Sequence, residues 1–145
     1  MALPKIAKIT YELVIPSTDK KIKYRPFLVK EEKVLILAQE SGSQSEMTRA
    51  IKDVISACVQ TRGFKVDSLA TFDIEYVFLN IRGRSVGESV DVIVTCPDDG
   101  ETTVPVTIYL DEIKVVFDEE HEANIKLDDT YSVQMKYPTM EEVMA

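Results

Sequence analysis

The sequence predicts an α+β fold: an N-terminal β-hairpin, a three-helix cluster and a C-terminal antiparallel β-sheet, together forming one domain over residues 1–145. Two observations carry this prediction. Apolar residues recur at every second position up to Tyr24, shift to helical spacing through the middle of the chain, and return to period two from Val90. A chain of 145 residues without internal repeats also fits a single domain able to bury its own core.

In "KIAKITYELVIP" the residues Ile9, Tyr11, Leu13 and Ile15 share one face, as in a half-buried strand. "STDK" turns the chain, and "KIKYRPF" returns with Ile22 and Tyr24 inward. Pro26, which has no N–H for a ladder, ends the strand. "KEEKVLILAQES" joins strong helix formers to a five-residue apolar run and predicts a short buried helix over 30–40, ending near Ser41-Gly42. "SQSEMTRAIKDVISACVQTRG" predicts a helix over 44–61. Ser43 and Glu46 have capping-box spacing, Met47, Ala50, Ile51, Val54, Ile55 and Cys58 form one stripe, and Gly63 is placed to stop the helix. The third helix, over 69–83, carries Ile74, Val77, Phe78 and Ile81 on one stripe with Phe72, Tyr76 and Leu79 beside it. Apolar residues on two faces predict a helix packed between neighbours, at the centre of the core.

Beyond the third helix, Val90, Val92, Val94 and Cys96 face one way. "PDDG" turns, and Val104, Val106, Ile108 and Leu110 face one way again, with Pro105 suggesting an edge strand. Ile113, Val115 and Phe117 continue the alternation. The acidic loop "DEEHE" precedes a last strand pair in which Tyr131, Val133, Met135 and Tyr137 alternate. In "YPTMEEVMA", Thr139 can cap a helix too short to stand alone, so that helix either docks or belongs to a longer parent chain.

Composition narrows the function classes. Residues 1–84 hold 14 Lys/Arg against 10 Asp/Glu, a balance of +4; residues 85–145 hold 3 against 15, a balance of −12. Such an acidic half repels phosphates and argues against nucleic-acid binding. Two readings of it stand side by side: solvated strand faces, or a surface that docks on basic proteins. No apolar run approaches the roughly 20 residues of a membrane span, and the N-terminus lacks a signal-peptide core, so the expected location is the cytoplasm of the producing cell. Two cysteines are too few for a disulfide scaffold and are expected to be reduced.

No catalytic, cofactor or metal site is expected. His121 is the only histidine, and no nucleophile elbow or P-loop is present. "TCPDDG" has half the look of a zinc knuckle, but Asp99 stands where the second cysteine would be. A small metal-dependent enzyme built on Cys96, Asp99 and His121 is therefore the weakest reading. Arg82 and Arg84 fall in the last turn of the third helix, where cations favour the negative dipole end; a basic patch offered to a partner is the other reading of them. Gly83 and Gly87 are expected to bend the chain into the sheet.

"YRPFLVKEEKVLILAQES", "IKDVISACV" and "FDIEYVFLNIRGRSVGE", in that order and spacing, resemble the T4-type bacteriophage baseplate hub and hub-assembly protein family, and "MKYPT" is similar to a segment that follows the sheet there. The resemblance covers roughly residues 5–140. It rests on Arg25, Pro26, Phe27, Asp73, Glu75, Tyr76, Arg82, Ser85, Gly87 and Glu88. It implies a non-enzymatic protein of the infected bacterial cytoplasm that acts by contact with other baseplate hub and tail proteins, either as an assembly factor or as a subunit kept in the virion. Longer members of the family continue past the point where this chain ends. The candidate interaction residues are Arg25, Phe27, Arg82, Arg84 and Glu88, with Asp118, Glu119 and Glu120 of the acidic loop.

Overall fold

The computed structural model describes residues 9–144. Strands β1 (Tyr11–Val14) and β2 (Lys21–Tyr24) pair antiparallel, with Tyr11 opposite Tyr24 and Leu13 opposite Ile22. The intervening turn is closed by Asp19 N–H on Ile15 O at 2.9 Å. Ile15, Ile22 and Tyr24 are buried, whereas Ile9, expected on the same face, is exposed because the strand begins two residues later.

Helices α1 (Val29–Ser41), α2 (Gln44–Cys58) and α3 (Thr71–Ser85) form the expected cluster, but α1 is not the buried helix expected. A continuous apolar run faces all sides of a helix, so only Leu35 packs on the core while Val34, Ile36 and Leu37 are exposed. Gly42 closes α1 in the left-handed conformation at φ 66°, a geometry that costs a residue with a Cβ. Ser43 caps α2 by accepting from the Glu46 N–H. That helix stops at Cys58, three residues earlier than the spacing suggested. The chain leaving it runs beside β2, where Gln60 N–H donates to Lys23 O at 2.7 Å and Lys23 N–H donates to Thr61 Oγ1 at 2.8 Å. Those bonds outcompete further helix, so Gly63 sits in a later turn rather than at the helix end. A 3-10 turn at Val66–Ser68, without a signal in the sequence, leads into α3.

The core lies where α2 and α3 meet the inner face of the first hairpin. Val54, Ile55, Cys58, Ile74, Val77 and Ile81 are all but fully buried. Phe78, expected among the most buried residues, is only half-buried at the rim, because the stripe's centre line runs through Ile74, Val77 and Ile81. Gly83 is helical and lies against the Leu110 side chain rather than bending the chain; Gly87, at φ 153°, makes that bend.

After α3, strands β3 (Ser89–Thr95) and β4 (Thr103–Tyr109) form one antiparallel hairpin, and β5 (Asn124–Lys126) and β6 (Ser132–Gln134) form a second. Among the described residues the C-terminal sheet is thus two separate two-stranded sheets. The segment holding Ile113, Val115 and Phe117 is irregular and joins neither. The closing helix α4 (Met140–Met144) is held by a reciprocal cap: Thr139 N–H donates to Glu142 Oε2 at 2.9 Å, and Glu142 N–H donates back to Thr139 Oγ1 at 3.4 Å. It docks through Met140 on the core, and Thr71 N–H donates to Pro138 O at 3.3 Å.

Candidate interaction surface

The residues that carry the sequence resemblance turn out to tie the N-terminal half together. Arg25, at the end of β2, makes a two-pronged contact with Glu31 on α1, at 3.1 and 3.5 Å, and donates to Ala57 O on α2 at 3.1 Å. Glu31 is buried, and it also accepts from Leu28 N–H at 2.7 Å. Burial works against its charge, yet the Arg25 guanidinium and the Leu28 N–H hold its carboxyl below the ordinary value. The fully buried carboxylate of Asp73, in the first turn of α3, accepts from both the N–H and the hydroxyl of Ser17 in the hairpin turn. At the other end of α3, the Ser85 hydroxyl accepts from Phe27 N–H at 2.9 Å. One hairpin, α1 and both ends of α3 are thereby fixed to one another.

This geometry sorts the candidate residues. The Arg25 guanidinium is used inside the fold, and Phe27 packs half-buried against the core. Arg82 lies half-buried in the last turn of α3, where its O accepts from Val86 N–H. Arg84 pairs with Glu88 one turn on, and its guanidinium sits 5.0 Å from the centre of the Tyr11 ring. Of the two arginines at this helix end, Arg84 therefore stays close to the N-terminal hairpin.

The acidic loop is differently built. Asp118 folds it into a turn by accepting from Glu120 N–H at 3.0 Å, and Asp118, Glu119 and Glu120 all face solvent. An aromatic cluster seats the loop on the start of α3. Phe72 meets Tyr137 edge-on at 4.9 Å and Phe117 at 5.9 Å, while His121 stacks on Tyr137 at 5.6 Å. The acidic loop and the Arg84–Glu88 pair thus sit at opposite ends of a helix roughly 20 Å long, taking 1.5 Å per residue.

Sequence reasoning missed how bare the β3–β4 hairpin is. Val90, Val92 and Val94 stand opposite Ile108, Val106 and Val104, making one aliphatic face. Four of the six are 40–48% exposed, so among the described residues no element covers the face. Alternation marks one side of a strand as apolar without saying what lies against it. Charge surrounds the hairpin: Asp98, Asp99 and Glu101 crown its tip, and neither strand carries Lys or Arg.

The groups considered for chemistry are occupied elsewhere. The Asp99 carboxylate closes the hairpin turn, accepting from Glu101 N–H at 3.1 Å, from Thr102 N–H at 3.0 Å and from the Thr102 hydroxyl. Among the described residues no three His, Cys, Asp or Glu side chains gather as metal ligands, so Cys96, Asp99 and His121 do not form a site. Burial pushes the Cys58 thiol up to about 11, which keeps it protonated. Among the described residues no helix is long and apolar enough to cross a membrane.

The model of one protein family, described as T4 bacteriophage base plate protein, matches residues 6–145. No curated protein and no solved structure matches the chain.

Proposed function

The chain belongs to the T4 bacteriophage base plate protein family, and from that membership we propose that it is a hub-assembly protein of the contractile-tail baseplate. Family membership itself implies contacts with other phage baseplate proteins. The finer reading is that it acts by contact alone, without catalysis, binding other hub proteins in the infected cell's cytoplasm while the hub forms. One observation carries it: the C-terminal half leaves the aliphatic face of the β3–β4 hairpin open beneath a net charge of −12, while in the N-terminal half α2 and α3 close on the first hairpin and α1 alone keeps an exposed apolar side. Large open apolar faces on a folded chain mark places where another molecule sits. The acidic loop at Asp118, Glu119 and Glu120 supplies long-range attraction for a basic partner, and the hairpin supplies the apolar contact.

The same open face also supports a second reading, a subunit retained in the particle, since permanent interfaces are the more apolar ones. Infection with a phage lacking this gene tests both. Baseplates without a central hub, together with absence of the protein from purified wild-type particles, is the result expected of an assembly factor. Its presence in particles in fixed ratio selects the retained subunit. Normal baseplates from the deleted phage would overturn both.

A further inference from the structure

In an antiparallel pair, residues that exchange both backbone bonds alternate with residues whose N–H and C=O point away from the partner strand. Leu110 N–H donates to Glu88 O and Cys96 N–H to Thr102 O, each at 2.8 Å, at the two ends of the β3–β4 register. Counting inward by twos, the ladder bonds fall at Val90–Ile108, Val92–Val106 and Val94–Val104. Ser89, Asp91, Ile93 and Thr95 therefore point their N–H and C=O groups outward from β3. On β4 the outward set is Thr103, Pro105, Thr107 and Tyr109, and Pro105 has no N–H to offer.

The two edges are therefore unequal. Folded proteins guard exposed strand edges with lysine, proline or a covering element. The β4 edge has its proline. The β3 edge is seven residues long and has neither lysine nor proline, and its outward residues are all exposed, Ile93 to 76%. Among the described residues no third strand lies on it.

Resting on the baseplate role above, we infer that the β3 edge accepts an extended, Lys- or Arg-bearing segment of another baseplate protein as a third strand. Backbone bonds to Ser89, Asp91, Ile93 and Thr95 would hold that strand. Its apolar side chains would extend the Val90–Val92–Val94 face, and its basic ones would meet Asp91 and the acids at the hairpin tip. Charge selects this occupant over a second copy of the chain. Two copies would bring together halves of −12 each, whereas a basic strand is attracted.

The test uses the full-length protein supplied from a plasmid to cells infected with the phage lacking the gene, with infective yield as the readout. Ile93→Pro removes one outward N–H and no ladder bond, while Ile93→Ala trims the side chain and keeps the N–H. The expected result is that Ile93→Pro lowers yield at least tenfold toward the empty-plasmid level while Ile93→Ala stays near wild type. Amide protection of the purified variant checks that the hairpin is intact; if it is lost, Thr95→Pro, whose N–H also points outward, replaces it. Wild-type yield with the proline variant overturns strand pairing, as does equal loss from both substitutions, which would indicate a side-chain contact instead. A wild-type dimer that Ile93→Pro dissolves would make the occupant a second copy and overturn the inference. Full yield from the empty plasmid would instead overturn the baseplate role on which it rests.

Discussion

Arg25 and Glu31 show how one pair of side chains joins three elements. The guanidinium reaches α1 through Glu31 and α2 through Ala57 O, so removing it leaves a buried carboxylate alone. Arg25→Ala is expected to cost about 3 kcal/mol, read as a lowered denaturation midpoint at unchanged slope. The pair also sets an acid dependence. Because the folded-state value for Glu31 is depressed, its contribution is complete above the unfolded carboxyl value of about 4.3 and is lost as pH falls through the folded value. Melting curves across that range should show a steeper loss for the wild type than for Glu31→Gln; parallel curves would remove Glu31 from the explanation. The two cysteines give a simpler contrast. Cys58 is fully buried, with its thiol pushed up to about 11, and Cys96 is partly exposed at the hairpin end. Native alkylation followed by mass spectrometry should label Cys96 and spare Cys58, and equal labelling would mean that α2 does not pack as described.

Helix α3 organises the molecule because it is held at both ends, by Asp73 on Ser17 and by Phe27 on Ser85, and buried along one line between. Ile81→Ala is expected to cost 2–5 kcal/mol by leaving a cavity, whereas Phe78→Ala, truncating a half-buried ring, should cost less. Chemical denaturation of the two variants ranks them, and the reverse order would move the core to the other face of α3. The helices were legible in the sequence because period and caps agree along their whole length. What could not be read was competition from distant chain: the α2 end is decided by bonds to β2, and the Ile113–Phe117 segment gives up strand pairing while Phe117 packs on Phe72. The acidic loop was equally visible as a run of charge, but its seating by Phe72, Tyr137 and His121 depends on residues far apart in the chain. Arg25 and Phe27 appeared as surface candidates because an Arg-Pro-Phe segment gives no sign of the buried glutamate waiting on α1.

At the scale of the whole molecule, an N-terminal frame packed around α2 and α3 holds out a C-terminal half whose sheets, among the described residues, lack a covering layer. That division predicts two kinds of energetics. Charge reversal of Glu119 and Glu120 should leave the melting temperature nearly unchanged, since exposed charges contribute little to stability. The same change should slow association with a basic hub partner several-fold at low salt, an effect that fades as screening shortens to about 10 Å at 0.1 M. Stopped-flow association across a salt series measures it; rates blind to both charge and salt would reduce the acidic loop to solvation. The most direct measurement of the proposed role is cross-linking mass spectrometry on assembly intermediates from infected cells. Cross-links from residues 86–137 to another baseplate hub protein, with few from the α1–α3 frame, are the predicted pattern. Cross-links concentrated on the helices, or none to any baseplate protein, would contradict it.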